Sequence, residues 1–167
     1  MYSGRLALPR ALYRVRQFSK FCRASVSKAE QRVAAEQLGE SLFPLFMKMA
    51  PPDQRHCLDV YHSLRDSDCD DPEMLTAALI HDIGKSNIGI WQRVAYVLLR
   101  QLAPRQLHRI ASNGTGWRAG LSSLHYHEKA GGQLAKAAGA SDAIVQLISG
   151  DSSDIRKTTL RAVDDSC

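Results

Sequence analysis

The sequence has little of what marks secreted, membrane-spanning or cysteine-rich metal proteins. The four cysteines follow neither a CxxC spacing nor a disulfide framework; they are Cys22, Cys57, Cys69 and Cys167. We therefore expect free thiols in a reducing cytoplasm and no zinc site built from cysteine. The longest apolar run, residues 94–99, is far too short to cross a bilayer. The expected location is the cytoplasm.

Alternation of β-branched and polar residues, the signal of strands, is also scarce, whereas Leu, Ala, Gln and Arg are frequent. A chain of 167 residues with 44% hydrophobic residues is typical of one soluble domain with one core. The sequence predicts an all-α bundle of about eight helices. The helices are expected at residues 27–38, 41–49, from 52, from 72, 88–102, 124–138, 141–149 and 156–166, with a short additional one after 104.

Acidic residues are absent from residues 1–29, which carry seven Lys or Arg. We interpret residues 1–26 as a basic, helical N-terminal segment and residues 27–167 as the domain proper. A solvated basic face on a terminal helix is the favoured interpretation, and contact with an anionic membrane surface or an organelle transit peptide are the alternatives. Binding to nucleic acid is not expected, because no aromatic side chains interleave the basic ones.

One predicted helix, beginning at Pro72, has almost no polar face. A helix that is apolar all round lies in the centre of a domain. Asp71 is placed to cap its N-terminus, and Gly84 to end it after Ile83. His81 and Asp82 thus lie near the end of a buried helix.

A buried carboxylate needs a cation or several hydrogen-bond donors, because burial without them costs several kcal/mol. A divalent metal would satisfy Asp82 and His81 together. An imidazole nitrogen with a carboxylate oxygen suits Mn, Fe, Co, Ni or Zn rather than calcium. With six histidines in the chain, a His-Asp pair arises by chance in roughly a quarter to a third of such sequences, so the pair alone identifies nothing.

The helical phase of three other residues supports a metal site at His81 and Asp82. His56 lies beside the apolar stripe of the preceding helix, His127 shares a stripe with Gly131, and Asp164 follows Leu160 by one turn. The neighbouring Asp165 is the less favoured acid. His62 and His108 are expected at the surface, and His125, which faces the side of the helix with Glu128 and Lys129, is a poorer candidate than His127.

The segment around His56 (Arg-His-Cys-Leu-Asp-Val) and residues 77–85 (Ala-Ala-Leu-Ile-His-Asp-Ile-Gly-Lys) resemble the HD-domain superfamily of metal-dependent phosphohydrolases, in its HDIG form. The resemblance implies a helical bundle in which His56, His81, Asp82 and Asp164 bind a divalent metal. The segment that begins at His127 resembles one that supplies a further His near the metal.

The sequence departs from that pattern at Gly150-Asp151, where many related sequences have one or two histidines. This departure favours one metal, although His127 keeps a second metal as an alternative. The resemblance implies hydrolysis of a phosphoester, for which the substrate is a phosphorylated small molecule or nucleotide.

We expect Asp82 to orient or deprotonate water, Lys85 to neutralise phosphoryl charge or merely to end the helix, and His127 to contact the substrate. Two other classes of protein remain open. One is a regulatory or ligand-binding module with a degenerate site. The other is a di-iron oxygenase, which requires more ligands than the sequence offers.

Overall fold

The computed structural model describes residues 25–85, 88, 90–112, 115–150 and 154–167. These residues form eight α-helices and no strand, which confirms the all-α prediction. The N-terminal segment lies outside the described residues up to position 24, as does Asp151. The helices are α1 (Lys28–Lys48), α2 (Pro51–Asp66), α3 (Pro72–Ile80), α4 (Ile90–Leu102), α5 (Pro104–Ser112), α6 (Ala119–Ala137), α7 (Asp142–Ser149) and α8 (Ile155–Ser166).

Two predicted helix starts and one predicted break are confirmed. Ser27 and Glu30 form a capping box at the start of α1. The carboxylate of Asp71 accepts hydrogen bonds from the backbone N–H groups of Glu73 and Met74 at the start of α3. Gly39 has a φ of +63°, which interrupts α1 where two separate helices were expected.

Helix α3 is the centre of the bundle, as its composition predicted. Every residue from Met74 to Ile80 is buried, and the helix contacts α1, α2, α7 and α8. This position matters for function, because the segment after Ile80 emerges from the middle of the core. Within the described residues, no helix is both long and apolar enough to cross a membrane.

The predicted start of α6 was wrong, because this helix was expected from Leu124 and begins at Ala119. The additional turn is stabilised by tertiary packing rather than by helix propensity. Leu121 is fully buried, and Gly120 packs so closely on the side chain of Gln92 that a Cβ would lie 2.5 Å from it. A 3₁₀ turn at Gly116–Arg118 precedes α6.

An ion pair between α1 and α2 yields a prediction about stability at low pH. Hydrogen bonding from Arg55, followed by that from the backbone of Ser27, lowers the pKa of Glu30 from 4.5 to about 2. Because the folded-state pKa is lowered, the stabilisation is complete above pH 4.5 and is lost as the pH falls towards 2. Glu30→Gln should cost about 1 kcal/mol of unfolding free energy at pH 7, a value reduced for solvent screening of a partly exposed pair.

Urea unfolding at pH 7 and near the acid limit checks this expectation. The difference between wild type and Glu30→Gln should vanish in acid, since glutamine keeps an oxygen for the Ser27 N–H but not the charge. Glu36→Gln, at an exposed site on the same helix, is the matched control. A difference that does not depend on pH would contradict the assignment.

Candidate metal centre

The His-Asp pair lies in a tight turn and not inside the helix. Helix α3 ends at Ile80 and not after Ile83, with His81 as its C-cap. The turn is held by backbone hydrogen bonds from Ile83 N to Ile80 O (3.2 Å) and from Lys85 N to Asp82 O (2.9 Å). The prediction that Gly84 ends the helix was therefore wrong.

Gly84 is required instead by the close approach of α6. A Cβ on Gly84 would lie 2.0 Å from the backbone oxygen of His127 and 2.7 Å from the backbone nitrogen of Gly131. Gly131 faces the same contact, because a Cβ on it would lie 3.4 Å from the backbone nitrogen of Gly84. The missing side chains bring the backbone of α6 directly against the turn, which places His127 beside Asp82.

The structure brings together the four residues that the sequence suggested as metal ligands. Nε2 of His56 lies 2.6 Å from Oδ1 of Asp164, and Nε2 of His81 lies 3.4 Å from that same oxygen. Nε2 of His81 also lies 3.5 Å from Oδ1 of Asp82. One ligand atom from each of His56, His81 and Asp82 falls within 4.8 Å of the other two, so this group has the geometry to hold a metal ion. Asp165, by contrast, is exposed.

Two atoms of this group fit a metal better than they fit the protein around them. Nε2 of His81 and Oδ1 of Asp82 are both buried and have no hydrogen-bond partner among the described residues. Leaving a buried polar atom unpaired costs about 1–3 kcal/mol, and more for a charged one. A divalent cation between them would satisfy both atoms.

The ring of His81 is oriented for that role. Its Nδ1 donates a hydrogen bond to the backbone oxygen of Ala78 (2.9 Å). Since a carbonyl oxygen only accepts, Nδ1 carries a proton. Burial alone would lower the pKa of His81, but nearby charges and the Asp164 carboxylate raise it, so Nε2 is the atom that would bind a metal after giving up its own proton.

Asp82 is held as an ionised carboxylate. Burial alone would raise its pKa, but the charges of His81, Lys85 and His56 lower the pKa well below its usual range. Its Oδ2 accepts a hydrogen bond from Nζ of Lys85 at 2.5 Å. Lys85 thus directs its charge at Asp82 and leaves Oδ1 to face the histidines.

Sequence reasoning missed a second ion pair, whose carboxylate acts on the charge of Lys85. Asp53 is 3% exposed and accepts hydrogen bonds from Nη1 (2.9 Å) and Nη2 (2.7 Å) of Arg93. Burial alone would lower the pKa of Lys85, but the charge and hydrogen bond of Asp82, followed by the charge of Asp53, raise it. Asp53 precedes His56 by one helical turn, which was the available signal, but its partner on α4 could not be inferred.

His127 resembles His81 in its orientation. Its Nδ1 donates to the backbone oxygen of Leu124 (2.8 Å), which leaves Nε2 directed towards Oδ1 of Asp82 at 3.9 Å. Burial, followed by the charge of Lys85, lowers the pKa of His127, so the ring is neutral at pH 7. The distance places His127 next to the four-residue group and not within it.

His81, His127 and Asp164 line a cleft whose other charged residues sequence reasoning missed. They are Glu128, Lys157 and Arg161. Nζ of Lys157 donates to the backbone oxygen of Leu147 (2.6 Å) at the end of α7. The Arg161 guanidinium is largely exposed and lies 3.5 Å from the Glu128 carboxylate. Lys157 and Arg161 precede Asp164 on α8 by seven and three residues. This spacing was the signal in the sequence, since it puts all three residues on one face of the helix.

The other histidines lie elsewhere. His108 and His125 approach each other at 3.4 Å on α5 and α6, and His62 packs edge-on against Tyr61.

No family model, curated protein or solved structure matches the chain. The case for a metal centre therefore rests on the geometry of these side chains.

Proposed function

We propose that this protein is a divalent-metal-dependent phosphohydrolase with His56, His81, Asp82 and Asp164 as ligands. The observation that carries the proposal is that two buried ligand atoms, Nε2 of His81 and Oδ1 of Asp82, have no hydrogen-bond partner among the described residues. The ligand set suits Mn, Fe, Co, Ni or Zn. When bound, such a metal lowers the pKa of a water ligand and polarises a phosphoryl oxygen.

The protein's own groups would orient the reactants and transfer the proton. Lys85 fixes Oδ2 of Asp82, so that Oδ1 keeps one direction in the site. His127 is neutral and has its Nε2 3.9 Å from that oxygen, a position from which it would accept a proton from water or return one to the leaving group. We assign Asp82 and His127 to catalysis and Lys85 to the positioning of Asp82.

The cleft favours a small anionic substrate. Lys157 and Arg161 lie on its α8 wall beside Asp164, and Arg161 presents its guanidinium to solvent. A guanidinium binds phosphate oxygens in a bidentate manner. We therefore place a non-reacting phosphate oxygen of a phosphorylated small molecule or nucleotide against Arg161.

Arg161→Gln should raise KM roughly 10- to 100-fold and change kcat by only a few-fold, because it removes a charged hydrogen bond to the bound substrate. Steady-state kinetics on the metal-loaded enzyme measure both constants. Arg32→Gln, at an exposed site on α1, is the matched control and should change neither. A fall in kcat at constant KM would show that Arg161 acts on the chemical step instead.

The function itself is tested by turnover. The chelator-treated protein is loaded separately with Mn, Co, Ni and Zn and assayed on aryl phosphates, diesters and nucleotides. His56→Ala should abolish the activity, whereas His62→Ala, six residues later on the same helix, should retain it. Metal-dependent ligand binding without turnover would favour the alternative, a regulatory module.

A further inference from the structure

Helix α4 exposes a stripe of aliphatic side chains. The stripe consists of Val94, Val97, Leu98 and Leu102. Spacings of three, four and eight residues put all four on one side of the helix. Leu98 is 50% exposed and Leu102 is 81% exposed, whereas the opposite side faces α5 and α6. Large aliphatic groups grouped in this way indicate a contact surface.

The surroundings of this stripe carry charge of one sign. Between Asp82 and Glu128 the sequence has no acidic residue but has Lys85 and five arginines. Arg93 is paired with Asp53 in the interior, whereas four arginines are exposed, namely Arg100, Arg105, Arg109 and Arg118. Arg100 flanks the stripe on α4, and Arg105 and Arg109 lie one turn apart on α5, which contacts α4.

The aliphatic stripe and the exposed arginines together restrict the kind of partner that can bind this surface. A second copy of the chain would bring two cationic surfaces together, and the like charges would repel each other. Single-stranded nucleic acid is bound through phosphate contacts together with aromatic stacking, and the four described side chains of the stripe are aliphatic and do not stack. An anionic lipid surface fits both features, since it attracts the arginines and receives the aliphatic groups between its headgroups.

We propose that α4 and α5 form a membrane-surface contact selective for anionic lipids. Helix α4 has 13 residues and is about 20 Å long at 1.5 Å per residue, so it would lie along the bilayer surface. The contact does not depend on the metal centre, and it is distinct from the basic segment at residues 1–26.

Vesicle co-sedimentation of the full-length chain tests the contact. Wild type should bind equimolar phosphatidylglycerol/phosphatidylcholine vesicles and should not bind phosphatidylcholine alone. The double variant Leu98→Glu/Leu102→Glu should weaken binding at least about tenfold, because two apolar groups no longer insert. Replacing Arg100, Arg105 and Arg109 by Gln should weaken it by roughly fivefold per arginine.

The matched control is Leu134→Glu/Ile155→Glu, which changes two exposed aliphatic residues outside α4 and α5 and should bind like wild type. All variants keep the basic segment at residues 1–26, so a difference between them reports on α4 and α5. The proposal is overturned if wild type does not bind anionic vesicles, or if the control loses as much binding as Leu98→Glu/Leu102→Glu. It is also overturned if light scattering shows a dimer that Leu98→Glu/Leu102→Glu dissociates, which would make a second copy the partner.

Discussion

Asp82→Asn is expected to abolish both metal binding and phosphoester hydrolysis. Asp82 is 1% exposed and contributes a fully buried negative charge 3.5 Å from Nε2 of His81, whereas Asp164 on the other side is 35% exposed. An amide keeps the size of the carboxylate but loses the charge that draws a cation out of water. We expect metal affinity to fall by at least about 10³-fold, equivalent to roughly 4 kcal/mol.

Asp165→Asn is the control for charge, because Asp165 is exposed and lies next to the proposed ligand Asp164. It should bind metal and turn over like wild type. The Asn variant at position 82 also leaves the ammonium of Lys85 buried beside an amide, so circular dichroism and urea unfolding must accompany the titration. If the folded Asp82→Asn protein binds metal as wild type does, the proposed centre is wrong.

His127→Ala is expected to retain about one bound metal but to slow turnover by roughly 10²- to 10⁴-fold, the range for losing a positioned acid–base group. The reason is its place beside the four-residue group, with Nε2 at 3.9 Å from Oδ1 of Asp82. The effect should appear in kcat. The pH profile should also lose the limb that reports a base with a pKa below 6.5.

His125→Ala, two residues earlier on α6, is the matched control and should be nearly silent. Asp151→Ala should also change little under the one-metal proposal. If wild type binds two metals per chain, and His127→Ala or Asp151→Ala removes one, the centre is binuclear.

The parts of the fold that the sequence predicted correctly are those that local signals specify. Ser27 with Glu30 fixes one helix start and Asp71 another, through hydrogen bonds within a few residues. The apolar composition of residues 74–80 placed α3 in the core. Helical phase then sufficed to predict that His56 and Asp164 face the interior near the end of α3, because each shares a stripe with buried neighbours.

The parts that escaped prediction depend on contacts between distant segments. Gly84 was expected to end a helix, but it accommodates the backbone of His127, 43 residues later. The bidentate pair of Asp53 and Arg93 joins α2 to α4, and neither residue is unusual within its own helix. Helical phase indicates which face of a helix is buried, but it does not identify the helix that packs against that face. For the same reason, Arg161 was not predicted as a residue of the site.

Metal titration of the chelator-treated, full-length protein by calorimetry tests the central claim most directly. We expect about one divalent ion per chain, selected from Mn, Co, Ni and Zn, with release of protons from the ligands on binding. His81→Ala should abolish the binding, whereas His62→Ala should leave it unchanged. A wild-type protein that binds none of these ions, or a His81→Ala protein that binds them as tightly, would contradict a metal centre at His56, His81, Asp82 and Asp164.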